Sequence, residues 1–416
     1  MTAQVAAVRP MSEGRTTAIV ALMALAVFIN YVDRGNLATA APLIKDELKL
    51  TNTQVGLLLS AFFWSYTPGQ VFAGWLAERI NAYRALALGL TVWALATVAT
   101  GLAGSFAVLF GLRLVLGLGE SVAFPCSSKL LAEYLPSHRL GHANGMIGAG
   151  LAAGPAVGTL VGGLLIAHFG WRPSFFLFGL ISLLWLAPWL AVTRTASGEA
   201  ANAAPAPAPS FLAILRQRPL WGAALGHFAG NYTLYFVVSW LPTYLVKARG
   251  FTVPQMAELG GGIYLVYAVS CLTVGWICDR WMAAGGSDNR VRKTMMVAGH
   301  LGAATCLALC AVTGPVGSLV SLLLAGVFFG FTTPNIFAIA QTLAGPRAAG
   351  KWVGVQNCFG NIAGIAAPII TGIVVDRTGA FIWAFAIAGA VSLLGVVGWG
   401  LIVPKVAPVA WTRALA

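Results

Sequence analysis

Charge is what this sequence has least of. Of 416 residues only 9% are Asp, Glu, Lys or Arg, with 12 acidic side chains and five histidines in all. A water-soluble domain carries about 25% charged residues, so a soluble globular protein of this length is excluded. The six cysteines form no C-x-x-C pair, which leaves no recognisable thiol metal site or redox couple, and Cys306 with Cys310 reads as helix packing. No H-E-x-x-H or G-x-S-x-G is present, so neither a metal site nor a nucleophile marks an intramembrane hydrolase. "GPRAAGKW" from Gly345 approaches a P-loop, but Trp352 stands where magnesium requires Ser or Thr. "GAGLAAG" from Gly148 lacks the spacing and the strand–helix setting of a dinucleotide fingerprint, and its small residues suit close helix packing. These absences argue against an enzyme and against any cofactor or metal.

What is present is apolar length. Hydrophobic residues make up 58% of the chain, and charge-free windows of about 20 residues, the span a bilayer requires, recur along it. The window 294–346 holds two helices around Gly314-Pro315, and the second window runs on past Gly104-Ser105 into another. The count is twelve. The first apolar run has no small-residue cleavage site and continues into a full span, so it reads as a retained helix. With the N-terminus in the cytoplasm, 17 of the 25 Lys and Arg fall inside and 6 outside, while Arg34 and Arg113 belong to neither side. The net charge of +13 therefore follows topology, and no clustered basic surface for nucleic acid is present.

The stretch "RTASGEAANAAPAPAPS" (194–210) reads as an extended, semi-rigid linker between six helices and six more. "GWLAER" at Gly74 and "GWICDR" at Gly275 lie 201 residues apart, and a second similar pair is offset by 209. The eight-residue difference matches the longer "AAGGSDN" loop after Arg280. The expected fold is an all-α membrane protein of two pseudo-symmetric six-helix halves, 1–193 and 219–416, joined by a cytoplasmic linker, 194–218. Duplicated six-helix units are the plan of secondary transporters, with the substrate near the midplane.

The loop "GWLAERINAYR" resembles the G-x-L-a-D-R-x-G-R-R loop of the major facilitator superfamily, with Glu78 for the usual Asp. "NYVDR", "GLRLVLGLGESVAFP", "SWLPTYL" and "NCFGNIAGIAAP" resemble that family's anion:cation symporter branch, which includes bacterial galactonate, glucarate and hexuronate transporters. The resemblance implies a transporter of the bacterial inner membrane that imports a small organic anion with protons, driven by the proton gradient. It also implies a latch at Gly74, Glu78, Arg79 and Arg84, with Asp279 and Arg280 as its second copy. Those charges sit at cytoplasmic helix ends where they can bridge the halves; ordinary positive-inside charge is the other reading of Arg84. A monomer with both termini cytoplasmic is expected.

Four charges carry the functional reading, because a charge at mid-membrane costs about 2.5–3.5 kcal/mol on insertion scales. Helix rise places Asp33 roughly 25 Å from the inner entry, and Arg113 about 12 Å and Glu120 about 22 Å from the outer one. Asp33 and Arg34 differ by about 100° of rotation; Asp33 and Arg113 are expected to pair at similar depth, with Arg34 facing another part of the cavity. An interfacial helix end at "YVDRGNLATAAP" is the alternative. A guanidinium offers a fork for a carboxylate, and a carboxylate in low dielectric can carry a proton. The resemblance implies the same division: Asp33 and Glu120 as proton sites, Arg34 and Arg113 as substrate or switching partners.

Weaker candidates for the cavity wall are Tyr66, His227, Asn231, Tyr232, Tyr235, Asn335, Asn357 and Asn361, the last two on one helix face. Each could equally be packing glue between helices, and packing is the first reading of His227. Helix five reads "GMIGAGLAAGPAVG", where galactonate-type members have a polar residue, so an aromatic or short aliphatic carboxylate is an alternative to a sugar acid. An uncoupled facilitator or exporter, and a non-transporting receptor of the same fold, are the rival functions.

Overall fold

The structure, a computed structural model, describes residues 11–50, 52–202 and 208–411. Every regular element in it is helical. The first half contains α1 (Glu13–Leu48), α2 (Asn52–Arg79), α3 (Ala82–Thr100), α4 (Phe106–Glu120), α5 (Ala123–Tyr134), α6 (Leu140–Phe169), α7 (Trp171–Leu184) and α8 (Leu186–Asn202). After the short α9 (Phe211–Leu215) come α10 (Arg218–Thr243), α11 (Val253–Ala283), α12 (Asp288–Val312), α13 (Pro315–Ala344), α14 (Ala349–Asn361), α15 (Ala363–Thr378) and α16 (Ile382–Val396). The pairs α4–α5, α7–α8 and α14–α15 are each separated by one or two residues and behave as single rods.

Ten of these rods are long and apolar enough to cross a membrane. The protein is an integral membrane protein. Two long helices fall outside those ten, α2 with 28 residues and α10 with 26. Both are interrupted by polar side chains, among them Tyr66, Thr67 and Gln70 on α2 and His227, Asn231 and Thr233 on α10. They pack lengthwise against α4, α14 and α16, completing twelve rods. A helix that lines a polar interior need not be apolar all round.

The linker differs from its expected form. Residues 194–202 continue α8 as helix and 211–215 form α9, while 203–207 lie outside the described residues. An alanine-rich run extends an existing helix readily until prolines remove its amide donors.

Close packing within the first half relies on glycines at four-residue spacing. Gly150, Gly154 and Gly158 of α6 lie against Ala24, Phe28 and Val32 of α1, where an added Cβ would stand 2.5–2.8 Å from backbone oxygen or a side chain. The apparent nucleotide fingerprint is thus a seam between helices. Contacts between the halves run along α2 with α14 and α6 with α11. The two seams are copies: Gly74 meets Gly350, and Gly275 meets Gly141. The 201-residue offset carries Gly74 to Gly275 and the 209-residue offset carries Gly141 to Gly350.

Candidate functional site

α1 extends well beyond its internal charges. Its 36 residues span about 54 Å, with the midpoint between Asn30 and Tyr31. Asp33 and Arg34 therefore lie past the middle of a continuous helix, inside its apolar span 13–41 and not at its end. The rod formed by α4 and α5, Phe106–Tyr134, has Glu120 at its midpoint. That shared level sets the pairing. Arg34 Nε meets Glu120 Oε2 at 3.1 Å, with Glu120 fully buried.

This corrects the expected pairing. Asp33, 3% exposed, turns instead towards α3 and accepts a bond from Thr97 Oγ1 at 3.4 Å. Arg113 makes no ion pair among the described residues. It is offset from Glu120 by seven residues, about 10 Å along the helix, and its guanidinium carbon stands 5.3 Å from the Phe62 ring centroid. The pairing differs because neighbouring residues on a helix point about 100° apart, and it is Arg34, not Asp33, that faces α4.

Arg34 sits in an aromatic cage. Its guanidinium carbon lies 4.4 Å from the ring centroid of Tyr31, 4.5 Å from Phe62 and 4.6 Å from Tyr66. Rings offer their faces to a cation without neutralising it. Among the described residues, the Nη atoms of Arg34, Nε of Arg113, Oδ1 of Asp33 and Oε1 of Glu120 are buried and make no close, well-aligned hydrogen bond, with the Tyr66 and Tyr235 hydroxyls near the guanidinium. The buried side chains of Asn30 and Gln70 stand beside Glu120 and Tyr66, one helical turn from Arg34 and Tyr66 respectively. An unsatisfied buried polar group costs about 1–3 kcal/mol, so this concentration marks a site built for something other than stability.

The second half faces this cluster with neutral groups. Tyr235 stands near Arg34 and Tyr31, packs edge-on against Phe63 at 5.7 Å, and donates its hydroxyl to Asn361 Oδ1 at 2.9 Å. Asn361 in turn donates to Asn357 Oδ1 at 2.9 Å. Asn231 donates to the Gly360 carbonyl at 3.1 Å. His227 is buried beside Gly360, edge-on to Phe337, with Nδ1 unpartnered.

Two candidates lie elsewhere. Tyr232 is buried in the apolar core and rests on Phe228, because a residue next to Asn231 is turned by about 100°. Asn335 accepts from Arg292 Nη1 at 3.1 Å and contacts Cys278, towards the α12 N-terminus. Reading one helix face would have found Asn30 and Gln70. Nothing in the sequence marks Tyr31, Phe62 or Thr97.

At the face that carries both described chain ends, the halves are held together by hydrogen bonds. Glu78 receives Lys129 Nζ at 2.6 Å and the Gly350 amide of the other half at 3.1 Å. Lys129 also donates to the Pro346 carbonyl at 2.5 Å. Asp279 repeats the arrangement in reverse, accepting from the Gly141 and His142 amides at 2.9 and 2.7 Å. Each carboxylate thus caps the first turn of a helix in the opposite half, where free amides and the helix dipole favour negative charge. An added Cβ on Gly74 would stand 2.6 Å from the Gly350 oxygen. The expected bridging by arginine does not occur. Arg79 and Arg280 lie over Trp75 and Trp276 of their own helices at 5.3 and 5.1 Å, and Arg84 is exposed. Lys129, in the same half as Glu78, supplies the cation there and reaches the other half through the Pro346 carbonyl. Asn144 and Ser128, bonded to Gln341, and Arg292, donating to the Ser137 carbonyl, add further links between the halves at this face.

A twelve-rod bundle with a charged centre and paired cross-half caps defines a class, and the comparisons agree. The family model of the Major Facilitator Superfamily matches residues 23–368 and again 287–415. The chain belongs to the Major Facilitator Superfamily. It is similar to a probable sulfoacetate transporter of Cupriavidus necator, 31% identical over 397 residues, covering 91% of each chain. It is also similar to the hexuronate transporter of Bacillus subtilis, 28% identical with 90% of this chain and 92% of the relative covered. The D-galactonate transporter of Escherichia coli is likewise 28% identical, with 92% and 94% covered. These place the chain among relatives of the anion:cation symporter branch. The solved structure of FucP, a transporter of the same superfamily, has the same fold, with a TM-score of 0.73 at 18% identity over 92% of this chain and 98% of the other.

Proposed function

We propose that this protein imports a small organic anion together with protons by alternating access. The observation that carries the reading is the buried pair of Arg34 and Glu120 inside an aromatic cage, where no second carboxylate among the described residues pairs with the arginine. While Glu120 is ionised it occupies Arg34. Protonation releases the guanidinium, which stays charged at any physiological pH and presents a planar fork to a carboxylate or sulfonate. Asp33 is the second proton site, and Arg113, lacking an ion-pair partner, the second anion contact. Asn357, Asn361, Tyr235 and Asn231 supply neutral hydrogen bonds from the other half.

The two six-helix halves rock about this centre. The described face carrying both chain ends is taken as cytoplasmic, so the closed latch there corresponds to a protein open to the outside of a bacterial inner membrane. Relatives named for hexuronate, galactonate and sulfoacetate transport support a carboxylate or sulfonate as substrate. Import rather than export follows from a site whose binding-competent form is the protonated one.

The test is Glu120→Gln in proteoliposomes, with a hexuronate, galactonate and sulfoacetate as probes. Accumulation driven by an inward proton gradient should be lost, while exchange of internal for external substrate persists, because glutamine mimics the protonated carboxyl. Unchanged gradient-driven accumulation would remove Glu120 from the coupling.

A further inference from the structure

Cross-half capping by Glu78 and Lys129 depends on one short turn, residues 344–350, between α13 and α14. Gly345 in this turn has φ +65°, a conformation that side chains resist. The Pro346 carbonyl and the Gly350 amide are the groups offered to Lys129 and Glu78. The last carbonyls of α13 have no partners within the helix itself. Two of them are taken up by the C-terminal segment: Val409 donates its amide to Leu343 at 2.8 Å, and Trp411 donates its indole N–H to Ala344 at 3.0 Å. The Trp411 ring also stands edge-on to Trp352, at 6.4 Å between centroids. Trp352 is fully buried in the first turn of α14. One segment therefore grips the end of the helix before the turn and the start of the helix after it.

The same segment is anchored upstream. Lys293 of α12 donates to the carbonyls of Gly400, Val403 and Pro404 at 3.1, 2.5 and 3.2 Å. The Val406 amide donates to Asn289 Oδ1 at 2.9 Å. A strand of chain tied down at both ends over a two-helix turn controls where that turn sits.

We propose that residues 403–411 form a positioning strap, in which Trp411 and Val409 hold the 344–350 turn where the Glu78–Lys129 latch can reach it. The strap acts through the latch, so the proposal rests on the latch reading of Glu78. Loosening the strap shifts the protein towards the state that is open at the face carrying the chain ends.

A native thiol reports that opening. Cys271 is 0% exposed and packs at the seam between the halves, where a Cβ on Gly148 of α6 would lie 3.2 Å from its sulfur. The experiment measures the rate of Cys271 alkylation by N-ethylmaleimide, read by mass spectrometry on the full-length protein. Trp411→Ala should raise the rate about fivefold, the effect of losing one net hydrogen bond's worth of latch. Trp411→Phe, which keeps the ring and loses the donor, should raise it less. Val409→Pro removes the other donor while leaving Trp411 intact, and covers the case in which Trp411→Ala does not fold. Glu78→Gln should raise the rate by itself, and adding Trp411→Ala to it should add nothing, since both remove the same link. A wild-type rate in both Trp411→Phe and Val409→Pro, alongside a raised rate in Glu78→Gln, overturns the strap and spares the latch. Multiplied effects in the double variant also overturn the proposal, because the strap would then act elsewhere. A wild-type rate in Glu78→Gln defeats the latch reading and the strap with it.

Discussion

The two halves share a backbone plan and differ in chemistry. At their seams they are interchangeable: Gly74 with Glu78 against Gly350, and Gly275 with Asp279 against Gly141, are one arrangement used twice. At the centre they are opposites. The first half presents Asp33, Arg34, Arg113 and Glu120, all four buried or nearly so. Facing them the second half presents Tyr235, bonded to Asn361 and through it to Asn357, a phenol and two amides. Rocking requires symmetric seams, since the same motion closes one face and opens the other. The proposed coupling needs asymmetry, since the Glu120 carboxylate and the substrate anion would compete for one arginine and a proton on Glu120 would decide between them. Duplication accounts for the matched seams, and the charged residues differ between the two centres.

The comparison breaks most readily at Arg34. Arg34→Ala leaves Glu120 buried without its partner, a change that costs about 3–5 kcal/mol when an ion pair is broken from one side. Uptake in proteoliposomes should fall by at least about a hundredfold, and Arg34→Lys should recover little, because a point charge does not replace a planar fork. If Arg34→Lys transports at the wild-type rate, the fork is not what the substrate meets. A change on the neutral side should be milder and of another kind. Asn357→Ala removes the end of the Tyr235–Asn361–Asn357 chain and, on the proposed reading, one hydrogen-bond partner of the substrate. The KM should rise about tenfold while the proton-to-substrate ratio is unchanged; an altered ratio would place coupling in both halves.

The smallest expected effect lies outside the apolar part of α1. Glu47, beyond the span 13–41, accepts the Trp171 indole at 2.6 Å and Arg172 at 2.8 Å. The indole bond first, and the guanidinium second, hold the Glu47 carboxyl below its ordinary range. A depressed carboxylate contributes stability above its unfolded pKa and loses it as the pH falls through its folded value. Glu47→Gln should therefore melt about 1 °C lower at neutral pH and together with the wild type in acid. A difference that persists below the carboxylate range would assign the effect to packing.

Much of this molecule was legible from residues alone, and the reasons are physical. A chain with 9% charge cannot cover a soluble surface, so the membrane class followed. Charge-free length counted the rods, although α2 and α10 are too polar to be recognised by hydropathy alone. The offsets of 201 and 209 marked the duplication, and the same offsets relate the glycines that the structure pairs at the seams. Asp33, Arg34, Arg113 and Glu120 stood out because a mid-membrane charge is costly.

Which of those four would touch was not legible. One residue along a helix is 100° of direction, and which neighbouring helix lies in that direction is not written in the sequence. Only the packed structure puts Arg34 at the level of Glu120, turns Asp33 to Thr97, and wraps the guanidinium in Tyr31, Phe62 and Tyr66. Lys129 and Trp411 belong to the same category, since their partners lie 217 and 67 residues away in the chain. Composition and spacing decide what a chain must bury and how often it repeats; rotation and depth, which decide what meets what, exist only once the helices are packed.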